Sequence, residues 1–407
     1  MPGLITERNF PTSWTIKRFK YCAQICNGGE YSDIEVEEGG YPVIGSGGEF
    51  ARASKFSYCG KSVLLGRKGT VDKPLFVDGA FWCVDTMFYT KIKDFAYEKY
   101  LYYCTLCFPF DYYVTSTALP SMTQRDLGSQ EIAVPPKKEQ KAIADFLDKE
   151  CAQIDSIAAD LEKQIDLLQQ YKKSLITETV TKGLDKSVPM KDSGVEWASK
   201  IPCHWEIKRF KYLCEYITDG SHFSPETTDE GYPYITAADV KGVGLDYDAA
   251  KKISQQDFIS LQKAGCQPRK SDVLLVKDGA TTGRIGMVTS EKPCVVLSSV
   301  AILRAPDNMD ARYFRYLMES DFVQAQIQAS MAGSAMPRTV LSKIINYWGI
   351  TCPKEEQKEI CDFLDRKCGY IETVIETKQV QQSTIQQHKK SLIYEYVTGK
   401  KRVKEVQ

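Results

Sequence analysis

From Leu147 onward the apolar positions fall at Leu147, Cys151, Ile154, Ala158, Leu161, Ile165 and Leu168, and resume at Leu175 after a lysine at Lys172. The steps alternate between four and three residues, which is the a/d rhythm of a coiled-coil helix. No glycine or proline interrupts residues 137–182; Pro135 and Pro136 stand in front, where the first turn tolerates them, and Gly183 closes the back. Some 45 residues at about 1.5 Å each predict a rod of roughly 65 Å. A second stretch repeats the register at Leu364, Cys368, Ile371, Ile375, Ile385 and Leu392, with Lys378 and Gln382 on the seam. Polar seam residues cost stability and fix register or orientation. Because a folded block separates the two helices, an intramolecular antiparallel pair is the natural arrangement.

The blocks 12–134 and 203–352 have a different texture. Short β-rich runs such as "SVLLG", "LFVDGAFWCV", "DVLLVKDG" and "CVVLSSVAIL" are bounded by Gly, Asp and Pro turns. Arg67 to Gly69 and Lys277 to Gly279 each follow a "VLL" strand and are expected to open a hairpin or loop. "AYEKYLYYCTL" and "ARYFRYLMESDFVQAQI" read as amphipathic helices, one per block.

These likenesses are a duplication. "IKRFKY" occurs at Ile16 to Tyr21 and, letter for letter, at Ile207 to Tyr212. Residues 136–181 align without gaps on residues 353–398, with 23 identities in 46 positions, far above chance. Twelve identities fall in the first 19 positions and ten in the last 13, so the two ends are held alike while the middle is free. Between the copies, "KGLDKSVPMKDSGVEWASKIP" is rich in Gly, Pro, Ser and Asp and reads as a linker over 183–201. The expected order is a mixed block over 1–135, a helix over 136–182, the linker, a second block over 202–352, a second helix over 353–398, and a frayed basic tail over 399–407.

Length and composition are compatible with two such modules. A chain of 407 residues exceeds what one core usually serves. No apolar run approaches the ~20 residues that cross a bilayer, and "MPGLITERNF" lacks the pattern of a secretory signal, which predicts a cytoplasmic protein. Fourteen scattered cysteines without regular spacing read as reduced thiols. With 53 basic and 53 acidic residues the net charge is zero, so any nucleic-acid binding rests on local clusters.

Motifs for chemistry fail one by one, and neither a catalytic residue nor a metal site is assigned. "IGSGGEF" lacks the third glycine of a dinucleotide loop and the Gly-Lys-Ser/Thr of a P-loop, and reads as a turn. Cys104 and Cys107 form a lone C-x-x-C inside an apolar run, whose counterparts are Met318 and Asp321. His204, His222 and His388 are scattered, and no Asn/Asp-Pro-Pro-aromatic loop is present. Glu206-Ile207-Lys208 imitates a nuclease Glu-x-Lys, but the first copy has Thr15 in place of the glutamate.

"PPKKEQKAIADFLDKE", its twin "CPKEEQKEICDFLDRK", the paired "KKSLI" and the linker "GLDKSVPMKDSGVEW" closely resemble the DNA-specificity subunit of type I restriction-modification systems. The resemblance covers essentially the whole chain and rests on four landmarks in order. It implies an α+β fold with two similar mixed α/β target-recognition domains, separated by two long helices that form an antiparallel coiled coil, a pseudo-twofold internal repeat. It also implies a subunit without catalysis of its own. Such a subunit reads a bipartite double-stranded DNA target, docks two modification (methyltransferase) subunits and joins restriction subunits. S-adenosylmethionine, ATP and Mg are expected on those partners, and no cofactor on this chain. The alternatives are a coiled-coil scaffold that binds proteins only, and an enzyme with an unrecognised nuclease or methyltransferase site.

Under this reading, phosphates are expected to meet Lys17, Arg18 and Lys20 with their twins Lys208, Arg209 and Lys211, and base edges the loops. Arg67, Lys68 and Thr70, with Lys277, Thr281, Thr282 and Arg284 in the twin loop, come first; Gln124, Arg125 and Arg338 come second. An identical hexapeptide in two domains that read different bases is poorly suited to specificity.

Overall fold

The structure is a computed structural model, and it describes residues 11–113, 120–331 and 337–403. The chain forms two compact units, one of Met1–Glu162 with Gln379–Gln407 and the other of Lys163–Lys378. Each unit therefore holds one mixed block, the start of one long helix and the end of the other.

In the first unit a four-stranded antiparallel sheet runs in the order Ala23–Asn27, Met87–Ile92, Ser62–Gly66, Leu75–Val77. A second sheet runs Gly48–Ala53, Tyr41–Gly45, Ala80–Cys83, Tyr58–Cys59, and its middle pair is parallel. Ser62–Gly66 is buried throughout, as an uninterrupted apolar run predicts. Its hairpin with Leu75–Val77 places residues 67–74 in a connecting loop. Thr15–Arg18, the hexapeptide strand, pairs antiparallel with Glu131–Val134, which leads directly into the first long helix, Lys137–Lys182.

The second unit repeats this plan. Tyr216–Asp219, Val300–Arg304, Val273–Val276 and Ile285–Met287 form the first sheet; Lys251–Ile253, Tyr232–Ile235 and Val295–Val296, with Thr227–Thr228 at the edge, form the second, again with one parallel pair. Glu206–Arg209 pairs with Trp348–Thr351 ahead of the second long helix, Lys354–Val397. Helix Glu98–Thr105 of the first unit corresponds to Ala311–Glu319 here. The apolar run read as one helix is broken at Ser320, whose extended backbone ends Ala311–Glu319 and opens Asp321–Ser330.

The helix segments run antiparallel within each unit. In the first, Lys389 Nζ lies 2.6 Å from Asp155 Oδ1. In the second, the twin residues Lys172 and Glu372 form the same ion pair, and Lys378 bonds Gln164 Oε1. Lysines on an apolar seam are tolerated because each reaches a carboxylate or amide on the facing helix.

Two expectations change. The stretch 183–201 is not bare linker: Met190–Val195 and Ala198–Pro202 form a hairpin with a bulge between Asp192 and Val195. Ala198 and Ile201 are buried in the second unit's core, an anchor too short for a periodic signal. The described part of the basic tail is not frayed either. Arg402 donates Nε and Nη2 to Glu139 Oε1, at 3.1 and 2.9 Å, and Val403 packs against the first core.

Candidate nucleic-acid interface

Two loops that are far apart in sequence meet in each unit by the same hydrogen bonds. In the first unit Gly69 N donates to Pro120 O (2.9 Å), Met122 N donates to Arg67 O (3.0 Å), and Lys68 faces Ser121 across an isolated antiparallel bridge. In the second, Gly279 N donates to Pro337 O (3.0 Å), Thr339 N donates to Lys277 O (2.9 Å), and Asp278 faces Arg338. Gly69 and Gly279 both have positive φ, 79° and 95°, which a side chain would strain. The residues expected first and second as readers are thus brought together: loop 67–70 with the segment before Gln124 and Arg125, and loop 277–284 with Arg338.

Within the first pair, Lys68 is exposed and Thr70 half-buried. Arg67 is half-buried, donates Nη1 to Asp85 O (3.2 Å) and lies over the Phe88 ring. Gln124 and Arg125 open helix Gln124–Ser129, which is capped by Thr123 Oγ1 accepting from Asp126 N. Both are exposed, and Gln124 Nε2 donates to Asn27 Oδ1 at 3.0 Å.

In the second pair, Thr282 Oγ1 donates to Gly279 O (2.7 Å) and Pro337 O (3.0 Å), bolting the loops together. Thr281 is half-buried, and Arg284 is exposed with Nη1 at 3.4 Å from Val240 O. Lys277 departs from expectation. It is 2% exposed, with Nζ 3.5 Å from Asp219 Oδ2 and from Asp278 Oδ2. It prolongs the buried strand Val273–Val276, and its charge is answered by two carboxylates rather than offered to a ligand.

The hexapeptides divide by residue. Lys17 lies over the Phe95 ring, 4.3 Å from its centroid, and Arg209 stacks on Trp348 at 3.6 Å while donating to Asn346 O. Lys208 pairs with Glu206, and Arg18 is exposed. Lys20 and Lys211 are both exposed, each over the ring of the tyrosine that follows it. Of the three basic positions, this lysine keeps one pose in both units. Lys20 also touches the short helix of Gln124, where a side chain at Gly128 would press on its Cβ.

Asn27, Asp219 and Asp278, which the sequence does not single out, bond Gln124, Lys277 and Arg338. Lys-Asp-Gly reads as a turn, and the aspartate beside a strand-end lysine is the available signal.

The helix ends form a second duplicated constellation. Trp14 Nε1 donates to Glu139 Oε2 (3.1 Å), as Trp205 Nε1 does to Glu356 Oε2 (3.0 Å). Gln140 accepts from Tyr97 N (2.7 Å) and donates to Pro135 O (2.8 Å); Gln357 accepts from Asp310 N (2.8 Å) and donates to Cys352 O (2.7 Å). Tyr100 donates to Ala133 O and Val397 O, and Tyr313 to Ile350 O and Val180 O, so each tyrosine joins a strand to the end of the other copy's helix. Tyr103 donates to Asp148 Oδ1 (2.8 Å) and Tyr316 to Asp365 Oδ1 (2.6 Å); burial first, then the carboxylate, push both hydroxyls far above the ordinary range. Among the described residues no group of three or more His, Cys, Asp or Glu is placed to hold a metal ion. Burial alone pushes the Cys107 thiol up to about 12.

Comparison with known proteins agrees with this duplication. Residues 11–167 and 202–383 each match the family described as "Type I restriction modification DNA specificity domain". The chain is 24% identical over 294 residues to the type I restriction enzyme MjaVIII specificity subunit of Methanocaldococcus jannaschii, covering 71% of this chain and 66% of that protein. It is also 24% identical over 323 residues to the EcoBI specificity subunit of Escherichia coli, covering 73% of this chain and 67% of that one. The chain thus spans about two thirds of the length of these curated relatives. A solved chain from work on complex assembly and conformational transition of the type I R-M system superposes with a TM-score of 0.71, over 97% of this chain and 100% of the other, at 13% identity. At that identity the likeness speaks for the fold.

Proposed function

Because the chain belongs to the type I restriction-modification DNA specificity family, we propose that it is the non-catalytic subunit that reads a bipartite target, one unit per half-site. The observation that supports this most is the loop pair. One scaffold, held by the same backbone hydrogen bonds, carries Arg67, Lys68 and Ser121 in one unit and Lys277, Asp278 and Arg338 in the other. A frame kept constant under changing side chains suits two readers of different bases.

The exposed Lys20 and Lys211, alike in both units, suit phosphates, which are the same at every site. In this reading the long helices fix the gap between half-sites. Their duplicated ends dock two methyltransferase subunits, which supply S-adenosylmethionine, and restriction subunits with ATP and Mg complete the assembly. The chain acts where DNA is, in the cytoplasm.

The test is to expose DNA to this chain with its modification subunits and map the methylated adenines. The expected result is a motif in two parts with a fixed gap. A continuous motif, or methylation unchanged when this chain is left out, overturns the reading. Purified chain alone cutting or methylating DNA would establish the enzyme alternative instead.

A further inference from the structure

In the second unit a line of alternating charges ends on one exposed guanidinium. Buried Lys277 stands 3.5 Å from Asp219 Oδ2 and from Asp278 Oδ2. Asp278 faces Arg338 across the bridge, with Oδ1 2.9 Å from Arg338 Nε. That contact is ionic: among the described residues the buried Oδ1 accepts no hydrogen bond. Two carboxylates against one buried lysine leave a negative charge over, and Arg338, whose side chain is 60% exposed, answers it.

The first unit carries a different set of charges, with no carboxylate among them. At the places of Asp219, Lys277, Asp278 and Arg338 it carries Asn27, Arg67, Lys68 and Ser121. Its exposed cation at the bridge is Lys68, on the strand where the second unit has Asp278; the second unit's is Arg338, on the strand where the first has Ser121. Each unit thus offers one exposed positive side chain at the same bridge, from opposite strands.

The two cations differ in what they can recognise. Lysine is a point charge. An arginine whose Nε is held by a carboxylate keeps its two terminal nitrogens as a planar fork, the shape that matches O6 and N7 of guanine in the major groove. We propose, resting on the DNA-reading function above, that Arg338 reads a guanine in the second unit's half-site. Asp278 is its positioning residue, and buried Lys277 holds Asp278.

The test uses the full chain with its modification subunits, S-adenosylmethionine and a pool of duplexes randomised across the target, scored by which molecules become methylated. The wild-type complex first reports on the underlying reading: no sequence preference at all sinks that reading, whereas a two-part motif with no guanine-dependent position in either half sinks only the present inference. Arg338→Lys keeps the charge and loses the fork. It is expected to weaken the preference for guanine at one position by about 5- to 150-fold, with the other half-site unchanged. Asp278→Asn is expected to relax the same position, less strongly, and no other. If Arg338→Lys leaves every base preference intact, or Arg338→Ala lowers methylation of all sequences alike, Arg338 is a phosphate contact and the proposal fails. If Asp278→Asn blurs several positions together, its role is general support, and the positioning claim fails.

Discussion

Glu139 and Glu356 show why the identities of the two copies gather at the helix ends. Beside the docking proposed for those ends, the structure supplies a nearer cause: each glutamate receives the indole N–H of its own domain's tryptophan. Glu139 is buried and also carries Arg402. Glu139→Ala leaves a buried indole donor unsatisfied and is expected to cost about 1–3 kcal/mol, read as a lower urea midpoint for the first unit. Arg402 is more than a third exposed and recovers water, which keeps the cost below that of a fully buried pair.

The thiols give a second residue-scale expectation. Burial pushes Cys83, Cys107, Cys214 and Cys294 up to about 12, from 9.0. A folded pKa above the unfolded one means that stability is complete below about pH 9 and falls between 9 and about 12, as the unfolded thiols ionise and the folded ones do not. At pH 8 an alkylating reagent is expected to label exposed Cys59 and Cys203 and to spare these four until denaturant is added, as mass spectrometry of the peptides would show.

At the scale of elements, the seam lysines Lys172 and Lys389 are twins, and so are their partners Glu372 and Asp155. Reversing one charge, as in Lys389→Glu, is expected to destabilise the helix pair, and adding Asp155→Lys to restore it. The coupling from the double-mutant cycle should be about 0.2–1 kcal/mol, because one partner of each pair is more than half exposed.

The long helices are legible in the sequence because a seven-residue rhythm sustained over about four heptads fits a long helix and neither a strand nor a loop. The duplication supplies the rest of the plan. The hairpin at 190–202 is not legible, since its two buried residues carry no period. Nor is the meeting of Lys68 with Ser121 and of Asp278 with Arg338: an isolated bridge leaves no pattern, and only folding brings such segments together. For the same reason Lys277 reads as a contact in the sequence, although its strand carries it into the interior.

At the scale of the molecule, the boundary between the units falls inside both long helices. If the helices set the gap between half-sites, inserting one heptad into the middle of each lengthens them by about 10.5 Å. At ~3.4 Å per base pair the methylated motif should widen by about three base pairs, with both half-sites unaltered. A gap that stays constant would show that something other than helix length measures it.

The carbonyl of Val397, which accepts from Tyr100, is 297 residues away from it in the chain. The second unit is one continuous stretch, whereas the first needs Gln379–Gln407 to close. On the ribosome, then, the half made first is finished last. Its core lacks Leu392, Ile393 and Val397 until the final helix emerges, while the half made later has all its residues in one stretch. A nascent chain arrested once residue 378 has cleared the exit tunnel should give a protease-resistant second unit and a first unit still open to cleavage.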